Sequence, residues 1–201
     1  MSDNVVMTKD ASVHAQDNYT EYSIYVNQTR ALPEIYDGLK TVQRRLIYQS
    51  NQFPSGVIKK SANIVGNTLP LHPHGDESLY GSLVQLACPI NNLPLYDIQG
   101  NFGGYSTGAS AMRYTGASLS KIAKFIFCQF VDYAPMVEGE IEKEEPAYLP
   151  SLLPYFLIEG TSGIGLGLAC DILPMDIMSL IDYYIHYINT GEFDHNLPMV
   201  D

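Results

Sequence analysis

Apolar and polar positions along the chain mark a series of helical stretches separated by glycine- and proline-rich joints. From Tyr19 to Arg30, the residues Tyr22, Tyr25 and Val26 fall on one stripe at helical spacing. Leu32-Pro33 ends that pattern, because the residue before a proline resists helical geometry. After an Asp37-Gly38 turn, Lys40 to Gln49 resumes a helix with Val42, Leu46 and Ile47 inward and Arg44 and Arg45 able to point outward. Phe53 to Gly56 is a loop, and Lys59 to Leu69 reads as a short helix with a basic first turn. Leu71-His-Pro-His-Gly-Asp76 is too rich in proline and glycine for regular structure. Asp76 then suits the N-cap of a helix from Glu77 to Ala87, which Pro89 stops. Two short helices joined by a tight loop, the second behind a capped start, describe a helix-turn-helix.

Beyond Asn91 the pattern turns glycine-rich with short extended pieces. Ala117 to Val131 reads as helix, Tyr148 to Leu157 as extended and proline-broken, and Ile158 to Ala169 as a small-residue, glycine-rich stretch. Met175 to Ile188 closes the series as an apolar helix. The polar first eighteen residues read as a flexible arm, and no repeat or low-complexity tract appears. Helices mixed with short strands make the class α+β.

Composition adds that 46% of residues are hydrophobic, enough to bury a core. No apolar run approaches the roughly eighteen residues of a membrane span, and no signal peptide opens the sequence. Cys88, Cys128 and Cys170 are odd in number and far apart, which points to a reducing, cytoplasmic setting without a disulfide framework or zinc spacing. The formal charge of −11 argues against nucleic acid until its distribution is read. Residues 1–29 carry net −3, residues 30–124 carry nine Lys/Arg against five acids, and residues 125–201 carry one Lys against thirteen acids. A basic island between acidic flanks can hold phosphate, because binding depends on local cation density. The acidic last third is expected to face solvent or a basic partner, away from DNA.

The strongest chemical signal is Ala109-Ser-Ala-Met-Arg-Tyr114-Thr. A phenol is a poor nucleophile at neutral pH, since its ordinary pKa lies near 10. A neighbouring cation favours the phenolate, and further cations stabilise a pentacovalent phosphate. Arg113 adjoins Tyr114, and Arg30, Lys40, Arg44, Arg45, His72 and His74 are further candidates. The chain has fifteen tyrosines, most of which need do no more than pack, so context rather than residue type singles this one out.

That context is an ordered set of blocks. Arg30-Ala-Leu-Pro33, Asp37-Gly-Leu-Lys40, Val42-Gln-Arg-Arg45, Lys60-Ser-Ala62, Val65-Gly66, His72-Pro-His-Gly-Asp76, Gly100-Asn-Phe-Gly103 and Ala111-Met-Arg-Tyr-Thr115 stand in sequence. Ser162-Gly-Ile-Gly165, Gly167 and Ile172-Leu-Pro174 follow. Together they resemble the breakage-reunion subunit of bacterial gyrase and topoisomerase IV, the type IIA DNA topoisomerases, from about Tyr22 to Ile188. The Tyr133-Ala-Pro135 and Tyr148-Leu-Pro150 segments look more like viral or phage members.

The resemblance implies an arm over 1–18, a winged-helix DNA-cleavage domain of the catabolite-activator type over 19–135, and the start of a tower domain over 136–201. It implies that Tyr114 attacks a backbone phosphate and stays on the 5′ end, with Arg113, Arg30 and His74 as catalytic partners. Lys40, Gln43, Arg44, Arg45, Lys60, His72 and Ser78 fall at DNA-contacting positions, and Ile164 at the isoleucine that wedges between base pairs. No metal site is implied in this chain. Magnesium and ATP would be bound by partner Toprim and ATPase regions, with a homodimer of the cleavage subunit cutting both strands of duplex DNA. Gln43 replaces a usual histidine. Glu77 and Gly81 replace the serine and acid that anchor quinolones through a metal–water bridge, which implies weak quinolone sensitivity.

Two other readings compete. His72-Pro-His74 with a catalytic tyrosine resembles the single-strand nicking relaxases, although two histidines separated by proline rarely converge on one ion and no third ligand stands at zinc-like spacing. A non-enzymatic winged-helix DNA-binding protein explains the basic island but not the Arg113-Tyr114 context. Gly160 to Gly167 lacks the Gly-Lys-Ser/Thr of a nucleotide loop, which leaves close backbone packing around Ile164.

Overall fold

The computed structural model describes residues 10–141 and 143–193. Helix α1 (Ala11–Val26) starts well before Tyr19, because Asp10 caps it by accepting the Ser12 N–H at 2.8 Å. The expected arm therefore lies outside the described residues over 1–9 and is helical from Ala11. None of the α1 side chains is buried, so Tyr22, Tyr25 and Val26 form no core stripe. The helix widens into a π-helical turn (Asn27–Ala31), closed by the Leu32 N–H on the Asn27 carbonyl at 3.0 Å.

Helix α2 (Thr41–Asn51) buries Leu46 and Ile47 completely, with Val42 half-buried beside them, as its apolar spacing requires. It packs on α3 (Ser61–Thr68) and α4 (Asp76–Ala87), which contribute Ile64, Val65, Leu79, Leu83 and Leu86 to the same core. The stretch joining α3 to α4 carries the two histidines. Gly75, at φ 97°, caps α4, and Asp76 is its first residue rather than its cap. A carboxylate in that first turn is favoured by the helix dipole.

Strands β1 (Lys59–Lys60), β2 (Tyr96–Gln99) and β3 (Gly116–Leu119) form an antiparallel sheet in the order β1-β3-β2. Tyr96 faces Leu119, and Gly116 lies between Gln99 and Lys60. Lys59 and Lys60 are thus strand rather than a basic first helical turn. The helix expected from Ala117 is likewise strand at first. Residues 116–119 are all buried, so the alternation that marks a half-exposed strand is missing, and Gly, Ala and Ser carry little side chain to show a period. Only after Ser120, whose hydroxyl accepts the Ala123 N–H, does a short helix α5 (Lys121–Ala123) lead into a π-helical turn (Lys124–Cys128). Gly116 must be glycine here: a Cβ would lie 2.9 Å from Ile58 Cγ2 and 3.0 Å from the Lys59 carbonyl oxygen.

Two hairpins follow, β4 (Met136–Glu138) with β5 (Glu144–Pro146) and β6 (Thr161–Ile164) with β7 (Ala169–Ile172). Between them, Tyr155–Glu159 forms helix α6, which starts inside the stretch expected to be extended and runs two residues past it. Helix α7 (Ile177–Thr190) is capped by Asp176 and ends at Gly191, φ 73°. Ile158, Met175 and Leu180 make a second small core under it. Among the described residues, no helix is long and apolar enough to cross a membrane. The architecture is α+β.

Candidate active site

Tyr114 sits on a turn closed by its own N–H on the Ala111 carbonyl at 2.8 Å. The turn is braced from below. Tyr80 of α4 donates to the Ser110 carbonyl and lies 3.1 Å from the Thr115 hydroxyl. Thr115 is fully buried and donates to Ser61 at the start of α3, at 2.8 Å. Asn101 accepts the Ser110 N–H through its carbonyl at 2.9 Å and ties Gly108 with its side chain at 3.0 Å. Gly100, at φ 95°, lets the backbone pass where a Cβ would come 3.0 Å from the Tyr114 carbonyl oxygen. Over this fixed base the Tyr114 side chain is 66% exposed, the opposite of a core tyrosine. The Arg113 guanidinium stands 4.8 Å from its ring centroid, a cation–π distance.

A second cluster gathers the histidines. Arg45 is buried, and its Nε and Nη2 donate to Glu145 at 2.6 and 2.7 Å. Its Nη1 reaches Glu140 at 2.9 Å and His72 Nδ1 at 2.8 Å. Arg30 Nη2 lies 3.2 Å from His74 Nδ1, and His74 Nε2 lies 2.5 Å from Glu140, which also accepts from the Tyr25 hydroxyl at 3.3 Å. Arginine can only donate, so the guanidiniums meet the Nδ1 side of each imidazole as donors. Burial, and then the Arg45 charge, push the His72 pKa down to about 4. Burial alone would raise Glu140, but the Arg45 hydrogen bond and charge, with the His74 hydrogen bond, outweigh it and hold this carboxyl below its ordinary value.

His72, His74 and Glu140 each place a ligand atom within 4.8 Å of the others. The two histidines do converge, with a third ligand supplied from far along the chain, contrary to expectation. Two guanidiniums already donate to the imidazoles, however, and would repel a divalent cation. The cluster suits an anion, and Glu140 is the anion in place.

The structure redraws part of the expected DNA surface. Arg44 and Arg45 do not point outward: they are 7% and 3% exposed. Arg44 pairs with the fully buried Asp37 through Nε at 2.6 Å and Nη2 at 3.2 Å, and donates to the Leu39 carbonyl. Lys40 Nζ donates to the Ser162 carbonyl at 2.6 Å, and the Gln43 amide oxygen accepts the Lys40 N–H at 2.9 Å, closing the start of α2. Lys60, Ser78 and Arg30 are exposed, and the last two line a cleft with Thr29, His72 and His74. Ile164, at the end of β6, is 91% exposed. The acidic last third does not wholly face away, since Glu140 and Glu145 turn back onto Arg45. Among the described residues, no hydrogen bond or ion pair joins Tyr114 to Arg30, His72 or His74; the Arg113-Tyr114 turn and the arginine–histidine cluster are separate groups in this chain.

Sequence reasoning missed Glu140, Glu145, Tyr80 and Asn27. Their partners lie tens of residues away, and only the excess of acids downstream of a basic island hinted that some would fold back.

Comparison with known proteins gives a consistent assignment. The family of DNA gyrase and topoisomerase IV A subunits matches residues 30–200. The topoisomerase 4 A subunit of Haemophilus influenzae is 43% identical over 175 residues, 82% of this chain and 23% of that protein. The gyrase A subunit of Clostridium acetobutylicum is 39% identical over 202 residues, 96% of this chain and 24% of that protein. The topoisomerase 4 A subunit of Pseudomonas aeruginosa is 42% identical over 170 residues, 79% of this chain and 22% of that protein. The chain spans about a quarter of the length of these relatives. With its motif blocks, its exposed Arg113-Tyr114 turn and this coverage, the chain belongs to the family of DNA gyrase and topoisomerase IV A subunits.

Proposed function

We propose that this chain carries the DNA-cleaving centre of a type IIA topoisomerase, with Tyr114 as the nucleophile. The observation that carries the reading is an exposed tyrosine on a braced turn beside an arginine, in a chain of this family. The phenolic oxygen gives up its proton and forms a bond to a backbone phosphorus while the bond to the 3′ oxygen breaks, and that oxygen takes up a proton from solvent to leave as a 3′ hydroxyl. The 5′ end remains on Tyr114, and religation reverses the exchange. Arg113 supplies positive charge to the phosphoryl group as the new bond forms. Helices α2, α3 and α4 with sheet β1-β3-β2 act as a winged helix in which α4 faces the duplex, and residues 136–201 open the tower. Arg30 and His74 hold a phosphate of the same duplex, Lys60 and Ser78 contact its backbone, and Ile164 wedges between base pairs.

Two copies cut opposite strands of a gate duplex. Magnesium and ATP belong to a Toprim and ATPase partner: the His72, His74 and Glu140 group is too crowded by arginine to hold a divalent cation, so no step is assigned to a metal here. Mixing the protein with that partner, magnesium and plasmid, then denaturing with detergent, is expected to leave protein-linked linear DNA. Tyr114→Phe should abolish the link while keeping DNA binding. Linked product without double-strand breaks, formed on single strands with no partner, would instead identify a relaxase.

A further inference from the structure

We propose that Asn27 is the positioning residue of the Ile164 hairpin, holding it rigid enough to unstack DNA. The inference rests on the gate-DNA reading above and adds to it a residue outside the catalytic and DNA-contacting set. A two-stranded hairpin is at best marginally stable by itself, and a 91% exposed isoleucine at its end can part base pairs only if the hairpin does not yield.

What stops it from yielding is the π-helical turn. The Asn27 amide nitrogen donates to the Leu166 carbonyl at 3.0 Å, and its amide oxygen accepts the Leu166 N–H at 2.8 Å. A side-chain amide has a peptide's donor and acceptor in one plane, so it pairs with the loop as a neighbouring strand would. Packing around this pair leaves no slack. A Cβ at Gly163 would lie 1.9 Å from the Ala31 carbonyl oxygen, and one at Gly165 would lie 2.1 Å from Asn27 Oδ1. Lys40 holds the other side through the Ser162 carbonyl. Arg30, in the same turn as Asn27, reaches His74, so the wedge and the cation cluster are anchored on one short segment. Load on Ile164 is thereby carried to the turn that presents Arg30.

The test uses the protein with its partner and a duplex carrying 2-aminopurine at the step Ile164 enters, whose fluorescence rises on unstacking. End-to-end energy transfer reports the bend. The unmodified protein should raise the fluorescence, and Ile164→Ala should remove the rise. Asn27→Ala should lower the unstacked-to-stacked ratio about tenfold, the loss expected from two neutral hydrogen bonds. Its salt dependence of binding should stay unchanged, because no phosphate contact is touched. Gly165→Ala, a change outside the core that collides with the Asn27 oxygen, should act in the same direction. In an Ile164→Ala background, Asn27→Ala should no longer change the bend, since it acts only through Ile164. Full unstacking in both Asn27→Ala and Gly165→Ala overturns the role of Asn27, as does an undiminished effect of Asn27→Ala on the bend without Ile164. No rise with the unmodified protein overturns the gate-DNA reading instead.

Discussion

Arg44 gives the sharpest test of how this fold uses its positive charge. Its partner Asp37 is fully buried and accepts four hydrogen bonds: Arg44 Nε at 2.6 Å, Arg44 Nη2 at 3.2 Å, and the Leu39 and Leu149 N–H groups at 2.9 Å each. The pair therefore joins α2 to the turn before it and to a segment far along the chain. Asp37→Asn keeps the shape but puts an NH2 where only acceptors fit, and leaves a guanidinium buried without its counter-charge. Breaking a buried pair by removing one partner costs about 3–5 kcal/mol, a large share of the roughly 5–15 kcal/mol that holds a domain folded. Urea unfolding should show the midpoint falling with little change in slope. Arg44→Lys separates two roles. A residue that holds phosphate as a point charge tolerates lysine, whereas a two-pronged buried pair does not. Arg44→Lys should thus lose about 1–3 kcal/mol of stability and leave the salt dependence of DNA binding unchanged in the folded protein. A cost below about 1 kcal/mol for Asp37→Asn, or a salt slope that flattens by about one unit in Arg44→Lys, refutes the argument.

Three further outcomes follow from the same geometry. Glu140→Gln removes a carboxylate that competes with phosphate at His74 beside Arg30, so duplex affinity by fluorescence anisotropy should rise and the salt dependence should steepen by about one unit; equal or weaker binding counts against it. Stability should fall on acidification. His72 binds its proton near pH 4 when folded and near 6.5 when unfolded, so the unfolded chain takes up more protons between those values. The loss should reach about 1–2 kcal/mol by pH 5, with Glu140 adding to it at lower pH as its depressed folded pKa is crossed; a urea midpoint equal at pH 7 and 5 argues against it. Ciprofloxacin should trap little cleaved DNA, and Glu77→Ser with Gly81→Asp should increase trapping, since a Cβ at Gly81 meets nothing within 4 Å; strong trapping by the unmodified protein contradicts this.

The helices α2 and α4 were legible because their periods are local: Val42, Leu46 and Ile47, then Leu79, Leu83 and Leu86, repeat at spacings one helix can display. Strand β3 was not, because its four small or buried residues take their conformation from β2 on one side and Lys59-Lys60 on the other. Burial of Arg44 and Arg45 was hidden for the same reason. A polar side chain in an amphipathic pattern reads as outward unless its counter-charge is known: Arg45 is met by Glu140 and Glu145 about a hundred residues downstream, and Arg44 by Asp37, which stands in the preceding turn where it reads as a simple turn residue. For the candidate site, the Arg113-Tyr114 turn could be picked out from neighbouring residues. The convergence of His72, His74 and Glu140 could not, since it depends on where the β4–β5 hairpin comes to rest.

Under the proposed cleavage reaction, the bracing under Tyr114 bears on what would happen once DNA is joined to it. With Tyr80, Thr115, Ser61 and Asn101 pinning the main chain, the freedom left to a tethered 5′ end is rotation about a few single bonds of one side chain. Such a short tether cannot let the severed ends wander or spin. On the proposed reading, any widening of the break would then come from whole subunits moving apart as solid pieces, and bringing those pieces back together would restore the two ends to alignment.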